Sequence, residues 1–298
     1  MLSSATRFCL IGPGRLGATL AVVLERAGFA VTAVVGRSDP AAAPAGWPPR
    51  LPLAAAVERA DVLWLAVPDD QIDKVAAQAA AAIGTHGVDA AEPATLTAIH
   101  SSGLGSLDLL APLAGLGVRT LCLHPLQTFA AGEPAPEALA AVPIAVTARP
   151  DDEAFGFALA EAIGGHPFAL PDENKPLYHL AATVASNLLV ALESEAAGLI
   201  GEAIGGGPAD GLGLLARLVE TTVTNLRAEG SIRALTGPVA RGDVGTVRAH
   251  LALLETRTPR LAAAYRALSL QALALAAPRL DDENVRALRR VLEEGAPR

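Results

Sequence analysis

Lysine and cysteine are both scarce in this 298-residue sequence. Lysine occurs twice, as Lys74 and Lys175, and arginine supplies the rest of the 23 basic residues. The two cysteines, Cys9 and Cys122, each stand inside an apolar run, where a buried thiol is more common than a ligand or a nucleophile. The cysteines therefore suggest neither a disulfide framework nor a metal site.

A basic surface and a long apolar run are also missing. The net charge of −8 and the pI near 5.3 argue against a nucleic-acid partner, which would require a basic face. Mean hydropathy is +0.38, but no uninterrupted apolar stretch approaches the roughly 20 residues that span a bilayer. The N-terminus lacks the charged start and long apolar region of a signal peptide. We therefore expect a cytoplasmic protein without a membrane or nucleic-acid partner, and the length suggests two domains.

The first motif is a glycine-rich turn between an apolar run, Phe8 to Ile11, and a stretch with helical spacing. Gly12, Gly14 and Gly17 form the GxGxxG pattern there. In a dinucleotide-binding turn the first glycine allows the bend, the second lets the backbone approach a pyrophosphate, and the third lets the helix pack on the strand. The alternative is a tight turn with no ligand, but the strand before it and the helix after it favour a nucleotide site.

The cofactor preference depends on the end of the second predicted strand, where an NAD-binding protein usually carries an acidic residue. The chain instead reads Gly36, Arg37 and Ser38. A guanidinium and a hydroxyl can bind a 2′-phosphate through charge-assisted hydrogen bonds, so NADP(H) is favoured over NAD(H). Asp39 leaves the NAD alternative open. The expected cofactor contacts are Gly12, Pro13, Gly14, Arg15, Leu16, Gly17, Gly36, Arg37, Ser38, Val67 and Pro68.

Alternating strand and helix patterns predict a doubly wound parallel-sheet Rossmann domain over residues 1–172. Further helical patterns without strand signals predict an all-helical domain over residues 173–298. Functional groups of such a sheet gather at the carboxyl ends of the strands. That rule selects Val67, Pro68, His100, Ser101, Ser102 and His124 as site candidates, although these could also be ordinary loop starts.

Lys175 stands directly before Pro176, at the predicted start of a long helix that runs to about Ala203. Proline disfavours the helical region for the residue before it, and the helix dipole disfavours an ammonium there by roughly 0.3–1 kcal/mol. Lys175 is therefore either functional or a compositional accident. His179 and Ser186 share one face of this helix, with Asn187 at its edge, which suits a ligand-lined cleft or helix packing. Arg241, in a later loop, is either a carboxylate ligand or a solvated side chain.

These features together resemble the 6-phosphogluconate dehydrogenase-like superfamily. The segments "HPLQTF", "KPLYHLAATVASN" and "LTGPVARGD" are similar to a bacterial family of Rossmann-like proteins whose helical C-terminal domain has no assigned function. The resemblance implies the fold, and helical domains of this type commonly form homodimers. In β-hydroxyacid dehydrogenases the catalytic lysine is followed four residues later by asparagine. Here that position is His179, and Asn187 follows Lys175 by twelve residues, so His179 rivals Lys175 as the acid.

The leading hypothesis is an NADPH-dependent oxidoreductase that transfers hydride to a carbonyl or imine of a small anionic substrate. Lys175 or His179 would protonate the product, and exchange of Lys175 for methionine is expected to leave folding nearly intact while lowering turnover about 10²-fold. Ser101, Ser102 and Asn187 would orient the substrate, while His124, Ser186 and Arg241 would bind it. The rival hypothesis is a non-catalytic NADP(H) sensor. A deazaflavin-dependent NADP reductase is a third possibility, but its chain should be shorter, with less helical tail.

Overall fold

A computed structural model describes residues 2–36, 47–85, 96–129 and 134–294. Arg37, Ser38 and Asp39, which bear on the cofactor preference, lie outside the described residues. The described part contains a seven-stranded sheet with the strand order β2-β1-β3-β4-β5-β6-β7. The strands are β1 (Arg7–Ile11), β2 (Ala30–Val35), β3 (Val62–Leu65), β4 (Thr97–His100), β5 (Arg119–Pro125), β6 (Pro143–Ala148) and β7 (His166–Ala169).

The first five strands are parallel, whereas β6 pairs with β5 in the antiparallel direction and β7 runs parallel to β6. The chain turns back after β5 through a 3-10 turn at Pro136–Leu139. An antiparallel neighbour needs no helical crossover, which explains the change in direction. The predicted fold class, a Rossmann-type α/β domain followed by a helical region, is confirmed. The parallel sheet is extended by β6 and β7, which both run antiparallel to the first five strands.

Helices connect and cover the strands and then form the rest of the described chain. They are α1 (Arg15–Arg26), α2 (Leu53–Val57), α3 (Asp69–Thr85), α4 (Ala111–Ala114), α5 (Pro150–Ala162), α6 (Lys175–Ala185), α7 (Asn187–Ala203), α8 (Pro208–Glu229), α9 (Ser231–Ala234), α10 (Val244–Arg257), α11 (Pro259–Ala276) and α12 (Asp282–Glu293). The long predicted helix from Pro176 to Ala203 is interrupted at Ser186, whose φ of −119° and ψ of −69° separate α6 from α7.

Alternating residues of β1 supply apolar side chains to both faces of the sheet. Phe8 and Leu10 belong to one buried cluster, with Trp64, while Cys9 and Ile11 belong to the cluster on the other face. All of these residues are at most 3% exposed. Strands buried on both faces read as continuous apolar runs, which is why they are visible in the sequence.

The chain divides into two compact units, Met1–Asn187 and Leu188–Arg298. The division lies fifteen residues after the predicted boundary at 172, because α6 is attached to the sheet by the side chains of Lys175 and Tyr178. The second unit has its own core, in which Val247, Leu273 and Leu288 are at most 2% exposed.

Two helical stretches, Asp172–Ala203 and Pro259–Arg279, have the length and apolarity of a membrane span. The most apolar windows of the two stretches are only 11% and 28% buried. In the first stretch the helix is interrupted at Ser186, and Lys175 at its start is fully buried. Length and composition alone are weak grounds for a membrane helix, but the exposed apolar surface requires an explanation.

Candidate functional site

The three glycines of the β1–α1 turn differ in what surrounds them. Gly12 has a φ of +99°, and a Cβ there would lie 2.5 Å from the Ala66 carbonyl oxygen. A Cβ on Gly17 would lie 2.1 Å from the Gly12 carbonyl oxygen. At Gly14, in contrast, no atom of the described residues, apart from its two chain neighbours, lies within 4 Å of the position that a Cβ would take. The fold itself therefore requires Gly12 and Gly17, whereas Gly14 faces open space.

This turn lies where the carboxyl ends of three strands meet. The Gly12 amide donates a hydrogen bond to the Val35 carbonyl oxygen at the end of β2, and the Ala66 amide donates to Ile11 at the end of β1, each at 2.8 Å. Helix α1 begins here with Gly14 at the N-cap, and no side chain caps it. Free amides at a helix N-terminus form a binding site for an anionic group. The turn therefore has the geometry of a phosphate cradle.

Two neighbours of the turn also have clear positions. Arg15 is exposed and donates a hydrogen bond to the Phe129 carbonyl oxygen at 3.2 Å. Val67, after β3, contacts the turn, because a Cβ at Gly12 would lie 2.8 Å from its Cγ1. Pro68 follows it and precedes α3. The expected association of Val67 with the glycine turn is therefore present in the fold.

Gly36 has a structural role that the sequence did not reveal. A Cβ at this position would lie 2.7 Å from both Cδ and Cγ of Pro13. No side chain fits there. Packing against Pro13 therefore explains, as well as any cofactor preference does, why position 36 carries no acidic residue. The case for a 2′-phosphate consequently depends on Arg37 and Ser38, outside the described residues.

The loop after β4 is held by hydrogen bonds to its serines. Ser101 Oγ accepts a hydrogen bond from Trp64 Nε1 at 2.8 Å. Ser102 Oγ donates to Asp69 Oδ2 at 2.6 Å and accepts from the Gly105 amide at 2.7 Å. Ser102 is 3% exposed, so its hydroxyl serves to order the loop. Asp69, the first residue of α3, is a site neighbour that the sequence analysis missed, although it directly follows Val67-Pro68.

His100, at the end of β4, is fully buried. The Ser102 amide donates a hydrogen bond to its Nδ1 at 3.2 Å. Burial lowers the pKa of His100 to about 3, and the charge of Lys175 contributes to the lowering. His100 is therefore a neutral ring inside the protein at neutral pH.

Lys175 is fully buried, with its ammonium inside the first unit. Nζ donates hydrogen bonds to the Ser102 carbonyl oxygen at 2.9 Å and to Cys122 Sγ at 3.1 Å. Burial raises the pKa of the Cys122 thiol to about 11, so sulfur accepts as a neutral thiol. The lysine thus connects α6 to the loop after β4 and to the middle of β5.

Lys175 lies directly after the N-cap, close to the position that Pro176 predicts, but the expectation that its backbone is non-helical is wrong. Its φ of −56° and ψ of −40° are helical, and Asn174 occupies the N-cap. A 3-10 turn at Asp172–Asn174 precedes it, so the backbone is already turning when it reaches Pro176. The expectation that methionine at 175 leaves folding nearly intact is also not supported by this burial, because two buried acceptors would lose their donor.

His124, at the end of β5, forms a hydrogen-bonded pair with Tyr178 of α6. The distance from His124 Nδ1 to Tyr178 Oη is 2.7 Å, and the rings are perpendicular. Gly103 lies against His124 and His179, since a Cβ on it would be 2.9 Å from His124 Nε2 and 2.7 Å from His179 Cδ2. The structure therefore brings the candidates His124 and His179 together at the loop after β4. Tyr178 was missed because nothing but its place beside His179 marks it.

Three other candidates lie apart from these contacts. Ser186 interrupts the helix, and its amide donates to the Ala182 carbonyl oxygen. Asn187 is the exposed first residue of α7. Arg241 belongs to the second unit, at the end of a 3-10 turn, and is exposed. Their expected contacts with substrate remain predictions.

Two family models match different parts of the chain, and the second begins within the sheet, at β6. A family model of a Rossmann-like domain matches residues 3–125, and a model of a domain of unknown function (DUF2520) matches residues 142–272. Comparison with curated proteins finds no match.

Solved structures share the fold over most of the chain. A candidate NADP oxidoreductase from Bacteroides fragilis has a TM-score of 0.68 at 21% identity, covering 91% of this chain and 99% of that one. Pyrroline carboxylate reductase from Plasmodium falciparum, with NADP bound, has a TM-score of 0.59 at 12% identity, covering 92% and 100%. Reductive aminase from Aspergillus terreus, in complex with NADPH and ethyl levulinate, has a TM-score of 0.58 at 17% identity, covering 97% and 93%. At these identities the likeness establishes a shared fold.

Proposed function

We propose that the protein is an NADP(H)-dependent oxidoreductase that acts on a carbonyl or imine carbon of a small anionic substrate. The observation that carries the proposal is the open space at Gly14, between two glycines that the fold itself requires. A cradle of this kind is explained by a ligand whose phosphates approach the backbone. Three proteins of the same fold are described as NADP oxidoreductases or hold NADP or NADPH, which supports the choice of cofactor.

The residues of the glycine turn would hold the cofactor pyrophosphate at the N-terminus of α1, and Val67 and Pro68 would flank it. Arg37 and Ser38 would bind the 2′-phosphate by charge-assisted hydrogen bonds. When bound, the nicotinamide supplies the hydride. We also propose that the protein belongs to the 6-phosphogluconate dehydrogenase-like superfamily, as expected from the sequence.

The contacts at the ends of β3, β4 and β5 support a reaction site beside the cradle. Val67 touches the glycine turn, Asp69 binds Ser102, and Lys175 binds the Ser102 carbonyl, so these groups form one continuous edge. His179 lies against Gly103 at this edge and becomes the stronger candidate for proton donor, because Lys175 is enclosed by two acceptors. Ser101, Ser186, Asn187 and Arg241 remain candidates for orienting an anionic substrate.

Calorimetry and a turnover assay test the proposal together. The purified protein is titrated with NADPH and then incubated with NADPH and a panel of 2-keto acids, aldehydes and cyclic imines. We expect binding and oxidation of NADPH with at least one member, and loss of turnover in His179→Ala without loss of NADPH affinity. Absence of NADPH binding would overturn the proposal. Binding without oxidation by any member would instead favour the non-catalytic sensor.

A homodimer is the second part of the proposal, and it rests on the exposed apolar side chains of α8. Gly211 is the only residue of this 22-residue helix that is buried, whereas Leu214 and Leu218 are each 62% exposed. Patches of this kind mark interaction surfaces. A second copy is the occupant that we favour, because α8 also carries Glu220 and Arg217, an ion pair that a bilayer would disfavour.

Sedimentation velocity decides between these occupants. We expect a dimer that Leu218→Glu converts to monomer, while Arg289→Glu, on the exposed face of α12, leaves it unchanged. A monomeric unmodified protein would refute the dimer, and flotation with lipid vesicles would point to a membrane surface. The proposal includes a cytoplasmic location.

A further inference from the structure

Tyr178 has no role in the proposed reaction so far, yet it makes the closest contact to His124. Its hydroxyl lies 2.7 Å from His124 Nδ1, and the ring centroids are 5.4 Å apart at an angle of 90°. Phe168 of β7 also packs against the phenol ring, with centroids 6.1 Å apart. The phenol is therefore held on one nitrogen of the imidazole.

The protonation states of the pair follow from its surroundings. Burial raises the pKa of Tyr178 to about 12, so the phenol keeps its proton at neutral pH. Burial, together with the electrostatic effects of Lys175 and His179, lowers the pKa of His124 to about 4. A neutral imidazole has one N–H and one acceptor nitrogen. A phenol that donates to Nδ1 therefore leaves the imidazole hydrogen on Nε2.

That second nitrogen points to the loop after β4. A Cβ on Gly103 would lie 2.9 Å from His124 Nε2. Gly103 is the fourth residue of the "HSSG" segment, at the strand ends where the substrate is proposed to bind. Among the described residues the only hydrogen bond of the His124 ring is that between Nδ1 and Tyr178, so Nε2 is left for a ligand.

We propose that Tyr178 is a positioning residue, which holds His124 in the tautomer with hydrogen on Nε2 so that a neutral imidazole donates a hydrogen bond to the substrate. The acceptor is the oxygen of a carbonyl or the nitrogen of an imine, where negative charge develops during reduction. A donor already oriented at such an atom stabilises the transition state more than the ground state. The identity of the acceptor rests on the proposed function. The assignment of the His124 tautomer does not depend on that function.

Charged and titratable groups from every neighbouring element bear on this state. They are Lys175, Tyr178 and His179 of α6, Asp69 of α3, His100 of β4, Cys122 of β5 and Asp172 of the preceding 3-10 turn. Asp69 favours protonation of His124, whereas Lys175 and His179 oppose it and burial opposes it most strongly. His124 should therefore stay neutral from pH 8 to below pH 6.

The test is nitrogen-15 NMR of the imidazole rings in the full-length protein, together with turnover. In the unmodified protein we expect His124 to show a protonated Nε2 and an unprotonated Nδ1 at pH 7. Tyr178→Phe should mix the two tautomers and lower kcat about tenfold or more, with NADPH affinity unchanged. The control is Tyr265→Phe, because Tyr265 makes a similar contact of 3.0 Å with His250 Nδ1 in the second unit.

The outcomes separate this inference from the proposed function. An imidazolium at His124, or hydrogen on Nδ1 in the unmodified protein, would overturn the inference whatever the reaction is. Full turnover in Tyr178→Phe would also overturn it. Failure of NADPH to bind would overturn the proposed function instead, and would leave the tautomer measurement intact. If Tyr178→Phe does not fold, the spectrum of the unmodified protein still decides.

Discussion

Replacement of Gly14 by valine should separate cofactor binding from folding. Gly14 has a φ of −75° and a ψ of −167°, an extended conformation that valine adopts without strain. Apart from the two chain neighbours, no atom in the described part of the chain lies within 4 Å of the new Cβ position. Valine is a poorer N-cap residue than glycine, but it also lowers the conformational entropy of the unfolded chain. Because these two effects offset each other, the free energy of unfolding should change by less than about 1 kcal/mol. For a chain of this size that corresponds to a shift of at most about 4 °C in Tm.

NADPH affinity should respond much more strongly. The valine side chain would occupy the space through which the pyrophosphate approaches the amides of α1. Loss of two charge-assisted hydrogen bonds of about 1.5 kcal/mol each amounts to about 3 kcal/mol. This corresponds to a Kd about 100-fold higher, measured by titration calorimetry on the folded variant.

Two other glycines provide matched comparisons. Gly84, in the last turn of α3, is exposed, and outside its own helix no described atom lies within 4 Å of a Cβ there, so Gly84→Val should keep full affinity and stability. Gly17→Val should lower the free energy of unfolding by about 3 kcal/mol or more, because its Cβ would lie 2.1 Å from a backbone oxygen. Undiminished NADPH affinity in a folded Gly14→Val protein would mean that the turn is only structural.

Three further outcomes are expected. NADPH should bind at least tenfold tighter than NADH, and Arg37→Asp should remove or reverse that preference in the same calorimetric assay; equal affinities in the unmodified protein would contradict the role of Arg37. Lys175→Met should lower the free energy of unfolding by about 1–3 kcal/mol in urea, because the buried Ser102 carbonyl loses its donor, whereas the exposed Lys74→Met should not; equal values for the two variants would refute this reasoning. The pKa of His100 is lowered from 6.5 to about 3 in the folded state, so the unfolded chain binds the extra proton as pH falls below 6.5. Unfolding free energy should therefore drop by about 2 kcal/mol from this group between pH 7 and pH 5, and a flat profile would be the contrary result.

Much of the fold could be predicted from local patterns. The strands of the parallel sheet are buried on both faces, so β1, β3 and β5 appear as continuous apolar runs. The glycine spacing identifies the β1–α1 turn because the backbone there imposes its requirements on residues close in sequence. Helix α2 escaped prediction, since its five residues are too few to establish a period.

Periodicity and strand ends are local properties, so sequence patterns were enough to predict the Rossmann-type fold, the helical second part and the candidacy of Lys175, His179 and His124. Such patterns could not determine what these side chains touch. Lys175 reaches Ser102 and Cys122, and Tyr178 reaches His124, across separations of 73, 53 and 54 residues. The folded structure was needed to show that the lysine is enclosed, that Gly36 is required by Pro13, and that Gly14, unlike Gly12 and Gly17, faces space free of other described residues. Each of these features depends on contacts between strands and helices that are distant in sequence, so no local sequence pattern predicts them.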